Sequence, residues 1–120
     1  MLQLVQSNSM LPSSRTQTLQ THLLGHLEYA EFERLQQRLV FDAASRADGR
    51  ITLLICEHPP IITLGSEARP DDVEPRGVLL AGRGVDAVEA RRGGGAMLHA
   101  PGQLGVYVIA PLDWYRWSIG

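Results

Sequence analysis

The sequence contains no lysine and only one cysteine. All 11 basic residues among its 120 are arginine. Chemistry that requires a lysine amine is therefore excluded from these residues, and so is a phosphate loop of the Gly-Lys-Ser/Thr type. The single cysteine, Cys56, excludes an intrachain disulfide and any metal site built on several thiolates.

Long apolar runs and strong charge are also missing. No run approaches the roughly 18 apolar residues of a membrane span, and a net charge of −2 gives no general attraction to nucleic acid. The head of the chain has neither the arginines of a transit peptide nor the apolar block of a secretory signal. We therefore predict a cytoplasmic protein that has no nucleic-acid or membrane partner, with residues 1–21 as a weakly ordered tail and 22–120 as one domain.

One helix is clearly indicated. Residues at three- and four-residue steps from Tyr29 form an apolar stripe, while charged residues fill the opposite face. Asp48-Gly49 is a turn signal that ends the pattern. The stripe consists of Tyr29, Phe32, Leu35, Gln36, Leu39, Val40 and Ala43.

Several extended segments follow the helix. The apolar run Ile51–Cys56 predicts a strand buried on both faces, which Glu57–Pro60 ends. Further strands are predicted over residues 61–64, 85–90 and 103–109, with shorter candidates at 23–27 and 97–99, and no finishing element over 113–120. This order favours an α+β fold with a mixed or antiparallel sheet and flanking helices. One helix leaves a sheet face uncovered, so either the C-terminal part of the domain is missing or a partner covers that face.

The densest functional signal lies between Arg91 and Gln103. Three glycines after a strand let the backbone approach a ligand closely. Arg91 and Arg92 offer charge-assisted hydrogen bonds to a carboxylate or phosphate, and His99 can bond through either ring nitrogen. A solvated glycine-rich turn is the alternative interpretation. It is weaker here because the loop joins two strands and carries a histidine.

Other candidate residues have simpler structural explanations. His58 is an acid–base candidate, but a rigid proline corner is favoured; Cys56 ends an apolar strand and is favoured as a buried core residue rather than a nucleophile. His22 and His26 lack the further ligands of a zinc site. Gly82–Gly84 precedes a strand, whereas a dinucleotide fingerprint follows one. We therefore predict no metal site and no cofactor.

The order of several short segments resembles that of the lipoyl(octanoyl) transferases, over about residues 23–112. The resemblance implies a mixed-sheet α+β domain similar to the catalytic domain of biotin and lipoate protein ligases, incomplete in this chain. The segments are Leu24-Gly25, Tyr29, Gln36-Arg38-Leu39, Glu57-His58-Pro59-Pro60, Ile62-Thr63-Leu64-Gly65, Arg92-Gly93-Gly94 and His99-Ala100-Pro101-Gly102-Gln103-Leu104.

The resemblance also implies an activity. Such enzymes take an octanoyl (or lipoyl) group from acyl carrier protein and place it on a lysine of lipoyl-accepting domains, through a thioester on an enzyme cysteine activated by an enzyme lysine. The expected partners are therefore octanoyl-acyl carrier protein and lipoyl-accepting domains. Carried over to this chain, the resemblance makes Arg92, Gly93, Gly94, Gly95, Ala96, Met97, Leu98 and His99 substrate-binding.

The chain departs from the family pattern in two respects. Met97 stands where the family usually has threonine, and Ala100 where it has glycine. The family's lysine and cysteine lie in a C-terminal half that these residues do not include, and Cys56 matches a variable strand position, so we assign no catalytic residue. A C-terminal partner segment and self-association both stay open. So do two other interpretations: an inactive acyl-binding or interaction module, and a relative of the lipoate and biotin protein ligases, which the missing lysine disfavours.

Overall fold

A computed structural model describes residues 17–73 and 82–118, which form an α+β fold with two mixed sheets. This confirms the predicted fold class. In chain order the elements are β1 (Leu19–His26), α1 (Tyr29–Arg46), β2 (Ile51–Glu57), β3 (Ile61–Leu64), a 3-10 turn (Pro70–Asp72), β4 (Asp86–Glu89), β5 (Ala96–His99), β6 (Gly105–Ile109) and α2 (Leu112–Tyr115).

The first sheet has the order β1-β2-β6. Strand β1 runs parallel to β2, with α1 as the crossover that a parallel pair requires, and β6 is antiparallel to β2. The register of β1 shifts between Leu23 and Gly25, and Gly25 takes the left-handed conformation with φ of 65°. The short helix α2 packs near the end of α1, where the Tyr115 hydroxyl donates to the Gly49 carbonyl.

The second sheet has the order β4-β3-β5. Strand β3 is parallel to β4 and antiparallel to β5. This antiparallel register sets Thr63 opposite Met97 and Ile61 opposite His99. The loop between β4 and β5 is therefore held at the end of β3.

The core lies between α1 and the inner face of the first sheet. Phe32 on α1 and Leu54 on β2 are almost fully buried. The ring centroid of Phe32 lies 4.1 Å from that of Tyr107 on β6, so this phenyl ring joins helix and sheet by direct aromatic contact. The buried cluster is completed by Tyr29, Cys56 and Ile109.

The opposite side of the first sheet is apolar and open. Along β2 the buried residues alternate with half-buried ones, so the predicted burial on both faces is wrong for the second face. The cross-strand pairs Leu53–Val108 and Ile55–Val106 lie on this side, next to Leu23, which is 79% exposed. We call these five residues the outer face. A contiguous apolar patch of this kind is typical of an interaction surface.

Other boundaries also differ from the sequence prediction. Strand β1 begins at Leu19 rather than near His22, so residues 19–21 belong to the sheet. The described residues form six strands, since the two shorter candidates at 23–27 and 97–99 are also extended, and the one-turn helix α2 has three of its four residues in the segment 113–120 that was predicted to lack an element. Most of the predicted tail lies outside the described residues. Among the helices that are described, none is long and apolar enough to cross a membrane.

Candidate functional site

The loop of residues 91–95 is clamped onto the end of β3. The backbone N–H groups of Gly65 and Glu67 donate to the carbonyl oxygens of Gly95 and Gly94, at 3.1 and 3.0 Å. A Cβ at position 65 would lie 2.3 Å from the carbonyl oxygen of Gly94. Only glycine therefore allows β3 and the loop to approach so closely.

The Arg92 side chain turns inward from this loop. Its Nε and Nη2 atoms donate to the hydroxyl oxygen of Thr63 at 3.2 and 2.7 Å, and Nη2 also donates to the Thr63 carbonyl at 2.8 Å. Its Nη1 atom donates to the carbonyl of Gly93 at 3.0 Å. The guanidinium thus fixes the loop against β3 instead of extending into solvent.

His99 on β5 is buried beside the same threonine. Its Nε2 atom lies 2.9 Å from the Thr63 hydroxyl oxygen. Burial lowers the pKa of His99, and the nearby His58 and the positive charge of Arg92 lower it further. The neutral imidazole is therefore the favoured form at neutral pH.

His58 lies inside the core rather than at a solvent-facing strand end. Its Nδ1 atom is 2.7 Å from the Leu27 carbonyl oxygen, which can only accept, so Nδ1 carries the proton. Nε2 then accepts from the Tyr107 hydroxyl at 2.9 Å. Burial raises the pKa of Tyr107 to about 12, and the neighbouring Cys56 and Tyr29 contribute to the rise. The hydroxyl proton therefore stays on the tyrosine. His58 thus joins the proline corner to the end of β1 and the middle of β6.

Cys56 is buried on β2, as the sequence predicts. Its sulfur lies 3.6 Å from Nε2 of His58. Burial raises the pKa of the thiol, which is the opposite of what activates a nucleophilic cysteine. The local environment therefore favours a packing role for Cys56.

A cavity of about 290 Å³ opens beside these groups. Its wall combines polar ends with apolar side chains, which is typical of a site for a small amphipathic ligand. The rings of Tyr29 and His99, which both line the cavity, stack with their centroids 6.0 Å apart. The lining includes Tyr29, Arg92, Met97, His99, Leu104 and Tyr107.

The structure brings together only part of the predicted substrate-binding stretch. Arg92, Met97 and His99 line the cavity. Gly93, Gly94 and Gly95 form the clamped loop, while Ala96 and Leu98 alternate with Met97 and His99 along β5 and so lie on its other face. Sequence reasoning missed Thr63, Tyr29 and Tyr107 as parts of the site. Thr63 could have been found from the sequence, because it is a polar residue inside an otherwise apolar strand.

The discarded candidates stay apart from this cavity. His22 and His26 lie on the edge strand β1, and Nε2 of His26 is 3.4 Å from a carboxylate oxygen of Glu57. Gly82–Gly84 forms a turn ahead of β4. Among residues 17–73 and 82–118, no three His, Cys, Asp or Glu side chains are grouped as metal ligands would be.

Comparison with known proteins shows which sequences this chain is similar to. Residues 28–119 match the model of the lipoyl protein ligase A/B catalytic domain. An octanoyltransferase of Chloroflexus aggregans is 44% identical over 105 residues, which cover 86% of this chain and 46% of the relative. That of Chloroflexus aurantiacus is 46% identical over the same shares, and that of Koribacter versatilis is 40% identical over 81% of this chain and 38% of its own length. The chain thus spans about half the length of the curated relatives it matches.

Proposed function

The chain belongs to the lipoyl protein ligase A/B catalytic-domain family, and from this we propose that it supplies the acyl-binding half of an octanoyltransferase active in protein lipoylation. The observation that carries the proposal is the cavity beside the clamped loop, where Arg92, Met97 and His99 meet. The apolar side chains of its wall suit a fatty chain, and the polar side chains of Arg92 and His99 suit its carbonyl end. The reaction takes place in the cytoplasm.

The proposed reaction has two acyl-transfer steps. A cysteine thiolate attacks the thioester carbonyl of octanoyl-acyl carrier protein, and the carrier thiol leaves; a lysine amine of the lipoyl-accepting domain then attacks the enzyme thioester, forms an amide and releases the thiolate. The catalytic cysteine and the lysine base both come from a segment outside this chain. This proposal is supported by the absence of lysine here and by the raised pKa of the buried Cys56 thiol.

We further propose that this same segment covers the outer face. The relatives are about twice as long as the chain, and the outer face shows exposed leucine and valine side chains where a folded domain would pack another layer. Self-association of the chain through this face is the competing outcome. Gel filtration of the chain alone and of the chain with the segment attached distinguishes these two outcomes. If the segment covers the outer face, the longer protein should be monomeric; if the face mediates self-association, the longer protein should still form oligomers.

A second candidate function is an inactive acyl-binding module. The buried, weakly acidic Cys56 and the missing lysine favour it for the chain by itself. Such a module would hold the acyl group in the same cavity but pass it to no acceptor. The two functions therefore differ in product formation when the other half is supplied.

A fusion tests the proposed function. We expect residues 1–120, joined to the C-terminal half of the Chloroflexus aggregans octanoyltransferase, to move octanoyl from octanoyl-acyl carrier protein onto a lipoyl domain. Mass spectrometry should show the lipoyl domain heavier by one octanoyl group. The unfused chain should give no product, because it offers no activated thiolate.

The matched control is the same fusion with the donated half's nucleophilic cysteine replaced by alanine, which should abolish transfer. An inactive fusion that still binds octanoyl-acyl carrier protein would favour the binding-module alternative. Product from the unfused chain that persists after Cys56→Ala would contradict the proposed source of the nucleophile.

A further inference from the structure

Thr63 occupies the centre of a directional chain of hydrogen bonds between Arg92 and His99. Its hydroxyl oxygen lies 3.2 and 2.7 Å from two nitrogens of the Arg92 guanidinium and 2.9 Å from Nε2 of His99. Arginine can only donate. Both lone pairs of the hydroxyl oxygen are therefore occupied by N–H groups of Arg92.

The remaining bond of Thr63 must then be donated. Its O–H points to Nε2 of His99, which is consequently an acceptor without a proton. In a neutral imidazole the proton is then on Nδ1. Burial and the neighbouring Arg92 favour this neutral form, since both lower the pKa of His99.

The Nδ1–H group of His99 is left without a partner among the described residues, since the only hydrogen bond of this side chain runs through Nε2. His99 lines the cavity together with Arg92 and Met97. A donor that has no protein partner beside a cavity is suited to an acceptor atom of the ligand.

We propose that Thr63 is a positioning residue that holds His99 in its Nδ1–H tautomer, so that this N–H donates to the carbonyl oxygen of the bound acyl group. The identity of the ligand rests on the proposed function, whereas the tautomer does not. Arg92 acts through Thr63: its two N–H donors leave the hydroxyl only one direction in which to donate. The tautomer of the imidazole is thus set by the hydrogen bond at its other ring nitrogen.

Nitrogen NMR of the 120-residue chain, labelled with ¹⁵N-histidine, tests the tautomer directly. We expect His99 to be protonated on Nδ1 in the wild-type chain, and to lose this preference in Thr63→Val, which keeps the side-chain shape but removes the hydroxyl. Thr63→Ser should restore the wild-type pattern. Thr52→Val is the matched control, because Thr52 is also buried in a strand and its loss should leave the His99 signals unchanged.

The fusion with the Chloroflexus aggregans half supplies the functional measurement. Loss of one ligand hydrogen bond predicts a roughly three- to tenfold fall in kcat/KM for octanoyl-acyl carrier protein in Thr63→Val, with recovery in Thr63→Ser. A wild-type His99 protonated on Nε2, an unmoved tautomer in Thr63→Val, or unchanged transfer despite a moved tautomer would each overturn the proposal. An inactive wild-type fusion with the expected tautomer would refute the proposed function alone.

Discussion

Replacing Phe32 by alanine is expected to remove a large part of the stability of the chain. Phe32 is 1% exposed, and its ring packs on Tyr107 and His58 at centroid distances of 4.1 and 5.2 Å. Truncating a buried phenylalanine typically costs about 3–5 kcal/mol, because both the transferred surface and the cavity contribute. Small domains have total stabilities of about 5–15 kcal/mol. Urea unfolding followed by circular dichroism should therefore show a large fall in midpoint.

Phe41→Ala is the matched control for this substitution. Phe41 lies on the same helix but is 73% exposed, so its loss should change the free energy of unfolding by only about 0.5 kcal/mol. Equal effects of the two substitutions would contradict the placement of the core between α1 and the inner face of the first sheet.

Replacing Gly65 by alanine is expected to abolish most octanoyl transfer by the fused domain. The new Cβ would meet the carbonyl oxygens of Gly94 and Gly93 at 2.3 and 2.6 Å, so the loop must move by about 1 Å to relieve the clash. A displacement of about 1 Å in a positioned site can cost on the order of a hundredfold in rate. The measurement is kcat/KM for octanoyl-acyl carrier protein, read beside a thermal unfolding curve.

The neighbouring substitution Ser66→Ala separates this clash from general sensitivity of the loop. Ser66 is exposed, and its backbone N–H donates to the Arg92 carbonyl at 2.9 Å, a hydrogen bond that alanine keeps. We expect transfer within about twofold of wild type, as for most exposed substitutions. A Gly65→Ala domain as active as Ser66→Ala would show that the clamp is not needed for the site.

The sequence predicts α1 well and the second face of β2 poorly, for a physical reason. The local sequence is sufficient to predict the helix, because its apolar period begins at Tyr29 and the turn signal Asp48-Gly49 follows its last turn. An apolar run such as Ile51–Cys56 indicates a central strand, but coverage of its second face depends on which other element packs there. The short helix α2 spans only four residues, too few to show a helical period.

The residues of the candidate site also differ in whether the sequence alone can predict them. Arg92 and His99 were identified because the glycine-rich loop carries them together in the sequence. Thr63 and Tyr107 reach the same cluster only through strand pairing, Thr63 by the register of β3 with β5 and Tyr107 by the register of β6 with β2. Such long-range pairings are not encoded in local periodicity, so a composition or motif scan cannot reveal them.

The parallel pairing of β1 with β2 has a consequence for the order in which the molecule forms. This pairing closes around α1 alone, whereas β6 must join the same sheet from the far end of the chain. Closing a longer loop costs more entropy, so we expect β1, α1 and β2 to be structured in the folding transition state before β6 joins them. Phe32→Ala should then change both the folding and the unfolding rate, because its ring packs on Tyr107 of the late-joining strand β6.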